Sequence, residues 1–150
     1  MGNEVLDTAK FFWDVVKDGL KVQGKTVSVL PKGSTMMDLQ GWQGPTSYSE
    51  FYEQLSAIFG EKIADFTLTA SWMYNGEYIG NFKVIADGTV ELLSSLDVSV
   101  STDEAYRRDS DGVVQLPYAI QLTFRNITGG TQNTTLSSIA TGDGGGMSVG

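Results

Sequence analysis

Residues 66–74, Phe-Thr-Leu-Thr-Ala-Ser-Trp-Met-Tyr, place apolar or aromatic side chains at even positions and mostly polar ones between them. Asn75-Gly76 follows directly. A two-residue period puts alternate side chains on opposite faces of a pleated strand, whereas a helix would scatter this apolar set around its circumference. Asn-Gly is a strong hairpin signal, because both residues tolerate positive φ. The centre of the chain is therefore committed to antiparallel β-structure. A three-residue loop, Asn75 to Glu77, sets Tyr74 opposite Tyr78, Ala70 opposite Phe82 and Leu68 opposite Val84. A two-residue loop opposes Ala70 to Asn81 and Leu68 to Lys83. One residue of slip moves every side chain to the other face, so the bulged loop is the expectation.

The same signals recur on both sides of this hairpin. Asp87-Gly88 marks a turn, after which Val90, Leu92, Leu96, Val98 and Val100 alternate with Glu91, Asp97, Ser99 and Ser101, predicting a three-stranded meander. Thr102 to Gly112 carries Asp103, Glu104, Arg107, Arg108, Asp109 and Asp111 and reads as a solvated loop. Leu116, Tyr118, Ile120, Leu122 and Phe124 form the apolar side of a further strand, with Pro117 marking an edge position or a bulge. Gly129-Gly130 turns into a Thr- and Ser-rich strand ending near Ile139. Thr26 to Leu30 alternates until Pro31 and Gly33 break it. Ser47 to Gln54 fits a strand with Tyr48 and Tyr52 on one face, or part of a short helix running to Phe59; the strand is preferred. About seven short strands with turns between them predict a mainly β antiparallel sandwich, with an open sheet packed on a helix as second choice. One domain is expected over residues 1–140, followed by a disordered glycine-rich tail at 141–150.

The first segment has a different rhythm. Val5, Leu6, Ala9, Phe12, Trp13, Val16 and Leu20 recur at three- and four-residue spacing, which predicts an amphipathic helix from Glu4 to Leu20. Asn3 suits its N-cap, and Gly19 or Gly24 would end it. Phe11 and Val15 widen the apolar face beyond what one-sided burial needs.

Composition then removes whole classes of chemistry. With no Cys and no His, Ser-His-Asp and Cys-His catalysis, thiolate zinc sites and histidine-ligated metals are excluded, and no disulfide supports the fold. Ten basic residues against 18 acidic ones give a net charge of −8, which opposes nucleic acid and anionic lipid as partners. No apolar run approaches the roughly 18 residues of a spanning helix. Met1-Gly2-Asn3-Glu4 carries acid where a secretory signal carries Lys or Arg, so the expectation is a soluble domain; if it is exported, a signal has been removed or another route is used.

Several motifs match patterns formally. Gly19-Leu20-Lys21-Val22-Gln23-Gly24-Lys25-Thr26 satisfies the phosphate-loop spacing, but that loop needs a strand leading in and a helix leading out, and here the expected order is reversed. The match reads as accidental. Asp109-Ser110-Asp111-Gly112 resembles part of a calcium loop without the closing Glu. Asn126-Ile127-Thr128 and Asn133-Thr134-Thr135 are glycosylation sequons. Scattered carboxylates leave acid–base catalysis open without identifying a pair. Trp42, set between Gly41 and Gly44-Pro45, is either a plug over the core or a ring for stacking on sugar or lipid, with Tyr48, Phe51 and Tyr52 close behind.

The order of parts, an N-terminal amphipathic helix (Val5 to Leu20), a short basic and β-prone stretch (Lys21 to Leu30), a polar turn and a sandwich, resembles actinoporin-like pore-forming cytolysins. The resemblance implies membrane insertion through Val5, Leu6, Phe12, Trp13 and Val16, and docking through Trp42, Tyr48 and Tyr52. The functional expectation is a non-enzymatic binding protein, without cofactor or metal, that associates with membranes. A carbohydrate-binding module and a self-assembling subunit are the alternatives.

Overall fold

The computed structural model describes residues 6, 10–17, 20–21, 25–56, 60–91, 93–126 and 130–148. In chain order the strands are β1 (Phe12–Lys17), β2 (Leu20–Lys21), β3 (Val27–Val29), β4 (Gln43–Leu55), β5 (Lys62–Tyr74), β6 (Ile79–Val90), β7 (Ser95–Thr102), β8 (Tyr106–Arg107), β9 (Val114–Arg125), β10 (Thr131–Thr141) and β11 (Gly146–Ser148). The only helical turn among the described residues is a 3₁₀ turn at Met36–Asp38. Strands β3-β6-β5-β4 form one antiparallel sheet; β11-β10-β9-β7-β1-β2 form the other, with β8 paired to β9. The expected mainly β antiparallel architecture is present, built among the described residues from eleven strand segments rather than about seven.

Among the described residues there is no N-terminal helix, and this is the main correction. Phe12–Lys17 is a strand paired with β7, and Leu6 bridges to Pro31. Val5 and its neighbours at 1–5 and 7–9 lie outside the described residues. The cause of the misreading is a bulge. Trp13 pairs with Val100 and Asp14 with Ser99, but Val16 rather than Val15 takes the next place, opposite Val98. The extra residue leaves Trp13, Val15 and Val16 all buried while Phe12, Asp14 and Lys17 face out. Trp13 to Val16 is then a step of three and Phe12 to Val16 a step of four, so a bulged two-residue period imitates a helical one.

Aromatic packing joins the two sheets. Phe82 of β6 meets Trp13 edge-on at 6.5 Å between ring centroids, Tyr118 at 4.8 Å and Trp72 at 6.2 Å. Leu68, Ala70 and Val84 of the four-stranded sheet and Leu96, Val98, Val100, Ile120, Leu122 and Phe124 of the seven-stranded one complete the buried layer. Each aromatic pair adds about 0.5–1.5 kcal/mol beyond its area burial.

The central hairpin keeps the expected faces with a shifted register. Tyr74 pairs with Ile79, so the loop is the four residues Asn75 to Tyr78. A bulge at Asn81, held at φ 51°, restores parity, and Ala70 meets Val84 while Leu68 meets Ala86. Asp87-Gly88 is no turn: β6 runs on to Val90, and Gly88 is needed because a Cβ there would run into the Asp65 carbonyl. The predicted meander is broken, since β7 belongs to the other sheet. Pro117 lies inside β9 where pairing with β7 ends at Thr102–Tyr118. Its carbonyl accepts from Asp103 N at 2.9 Å, one residue beyond that ladder, where the reciprocal bond is not required to continue the pairing. The glycine-rich segment expected to be disordered is folded through residue 148. Thr141 is buried, and β11 pairs with β10.

Candidate functional site

Phe12 is the outward-facing aromatic of β1, and it is 63% exposed. Register places Ser101 of β7 opposite it, Ala119 of β9 opposite Ser101, and Ser137 of β10 opposite Ala119. One row thus crosses four neighbouring strands, roughly 14 Å at the usual strand spacing. Three small side chains in a row leave a trough on the outer face of the seven-stranded sheet. With Phe11, Pro117 and the ion pair Lys10–Asp103 at its upper end, it forms a groove of about 500 Å³. Lys10 Nζ lies 3.4 Å from Asp103 Oδ1, each side chain 67% exposed, so the pair itself contributes little stability. The backbone N–H of Glu104 and then Lys10 hold the Asp103 carboxyl below its usual range, which keeps it an acceptor.

The groove offers one aromatic face, two hydroxyls, one carboxylate and one ammonium. It contains no nucleophile with an adjacent base. It is a surface that can stack and hydrogen-bond.

Of the expected membrane- or ligand-contact residues that the structure describes, only Phe12 lines this groove. Trp13 and Val16 are buried, at 4% and 1% exposure, and Leu6 packs against the core. Trp42 folds back: its Nε1 donates to the Met36 carbonyl at 2.9 Å, and its ring packs on the core from the loop before β4. Tyr48 and Tyr52 face inward on β4 in the other sheet, half-buried and buried respectively. Lys10, Ser101, Asp103, Ala119 and Ser137 carry no motif, and only register brings them together.

The charged loops gather at one end of the sandwich. Arg107 donates to Glu77 at 2.7 Å, to the Gly112 carbonyl at 2.9 Å and to the Tyr78 hydroxyl at 3.0 Å. Arg108 forks onto Asp111 at 3.0 and 2.7 Å and reaches Asp143 at 2.8 Å. The Thr141 hydroxyl, followed by Arg108, holds the Asp143 carboxyl down to about 2. Backbone bonds Gly76 N to Gly142 O, Gly142 N to Val114 O and Val114 N to Glu77 O, at 2.8, 2.8 and 2.9 Å, tie the same three segments together. Asp111, a candidate calcium ligand by sequence, is engaged by Arg108, and no group of three acidic side chains among the described residues could hold a metal ion. This end is a clasp between the sheets.

Among the described residues the phosphate-loop pattern finds no helix. Leu20–Lys21 is strand, and Thr26 leads into β3. Compared with protein-family models, curated proteins and solved structures, the chain matches none.

Proposed function

We propose that this domain acts by binding, and that the groove beside Phe12 takes a neutral saccharide. The carrying observation is a two-thirds-exposed phenyl ring at the end of a floor of Ser101, Ala119 and Ser137. A sugar ring presents an apolar C–H face for an aromatic to cover and hydroxyls for Ser, Asp and Lys to bond. The volume lies within the usual range for small-molecule sites. A net charge of −8 favours an uncharged ligand over an anionic one. The membrane-inserting alternative loses its motive segment, because Trp13 and Val16 would have to leave the core and β1 its sheet.

Screening on an array of neutral glycans, followed by calorimetry, tests the proposal. Phe12→Ala should weaken binding about tenfold, about 1.4 kcal/mol, with the melting temperature unchanged. Trp42→Ala should leave affinity intact. An empty array, or equal affinity for Phe12→Ala, would remove the saccharide reading.

A further inference from the structure

Strand β4 has a long open side. Its pairing with β5 runs without a shift from Thr46 to Gln54. Among the described residues, no backbone hydrogen bond joins residues 46–55 to anything but β5. The opposite margin of that sheet, β3, has only three residues; the other sheet ends in β2, with two, and β11, with three. An open edge offers unpaired N–H and C=O groups as a template for another strand, and proteins blunt such edges with Pro, Lys, bulges or inward charges. In β4 these devices sit at the ends: Pro45 precedes the run, and register shifts fall at Gln43/Thr46 and Gln54/Leu55. Between them the only guard is Glu50, inward and half-buried between Tyr48 and Tyr52, while Phe51 on the outer face is 74% exposed.

We propose that β4 pairs antiparallel with β4 of a second copy of this chain about a two-fold axis at Phe51, joining two four-stranded sheets into one of eight. The register follows from the side chains. Pairing centred on Glu50 opposes two like charges and is disfavoured. Pairing centred on Ser49 leaves the exposed phenyl ring against the partner's Ser47. Centred on Phe51, the ring meets the partner's Phe51, Glu50 meets the partner's Tyr52, Ser49 the partner's Glu53, and Tyr48 the partner's Gln54. The phenol is a donor for the carboxylate; the Tyr52 hydroxyl makes only a long contact, 3.4 Å, to Gln54. Such a self-complementary set needs no surface other than this strand, which is why a second copy is the occupant. Glu50 selects the register. With −8 on each copy, association strengthens as salt screens the repulsion.

Sedimentation equilibrium from about 10 μM to about 1 mM, in about 0.05 and about 0.3 M salt, should show a monomer–dimer equilibrium that tightens with salt. Phe51→Lys, at an exposed position, should weaken it at least about tenfold with an unchanged circular dichroism spectrum. Because the chain has no native cysteine, a nitroxide on Ser47→Cys reports register alone. Ser47 lies opposite the partner's Leu55, so the two labelled positions should be ~27 Å apart by electron spin resonance, against ~14 Å for the Ser49-centred register. A monomer at every concentration, a dimer indifferent to Phe51→Lys, or the shorter distance would overturn the proposal.

Discussion

Trp13 and Trp72 are both sealed in the core, at 4% and 1% exposure, and both pack on Phe82. Their indole N–H groups have opposite fates. Trp72 Nε1 donates to the Thr141 carbonyl at 2.9 Å, whereas Trp13 Nε1 is buried with no partner among the described residues. Replacing either by Phe removes one ring of the indole, a core-volume loss on the order of 1–2 kcal/mol at both sites. At Trp72 the lost hydrogen bond adds about 1 kcal/mol; the addition is modest because Thr141 O keeps a second donor, Gly144 N at 3.1 Å. At Trp13 the substitution removes an unsatisfied donor and returns about 1–3 kcal/mol. Trp72→Phe should therefore cost about 2–4 kcal/mol more than Trp13→Phe. With a urea m-value near 2 kcal/mol/M, the midpoints should differ by about 1–2 M, with unchanged slopes. Equal midpoints, or a larger loss at Trp13, would refute the placement of the Trp13 indole and with it the seating of β1.

Two further outcomes concern the clasp. Because its carboxyl pKa is lowered from the ordinary 3.8 to about 2, Asp143 stabilises the fold fully above the unfolded value and loses that contribution as pH falls through the folded one. The melting-temperature gap between wild type and Asp143→Asn should hold steady above about pH 5 and close between about pH 4 and pH 2 in calorimetry. Gly142→Ala drives a Cβ into the Glu77 carbonyl, which already accepts from Val114 N. It should cost at least about 2 kcal/mol in urea unfolding and leave ligand affinity at the Phe12 groove unchanged.

The strands that were legible in the sequence are those whose alternation runs unbroken. Leu116 to Phe124 and Phe66 to Trp72 bury the expected side chains, because a half-buried strand writes its face into every second residue. β1 was not legible, because its bulge at Val15 converts that writing into steps of three and four. Which sheet a strand joins was also hidden: β6 and β7 have the same pattern, and nothing in either announces that the chain crosses between layers after Val90. The Asn75-Gly76 loop illustrates a subtler limit. Its inward faces were right while the partners of Ala70 and Leu68 were off by two, since a longer loop and the Asn81 bulge together preserve parity. The groove was least legible of all. Serine and alanine on an outer face are ordinary there, and only the summed register of four strands sets them in a row beside Phe12.

Pairing of β1 with β7 has a consequence for how the molecule is made. Phe12 faces Ser101 and Val16 faces Val98, so β1 waits for β3 to β6 to emerge before its long neighbour exists. Until then Trp13, Val15 and Val16 have only the two-residue strand β2 beside them in their sheet. The strand made before β7 is thus seated only after it, with a tryptophan and two valines open to wrong pairing during the interval.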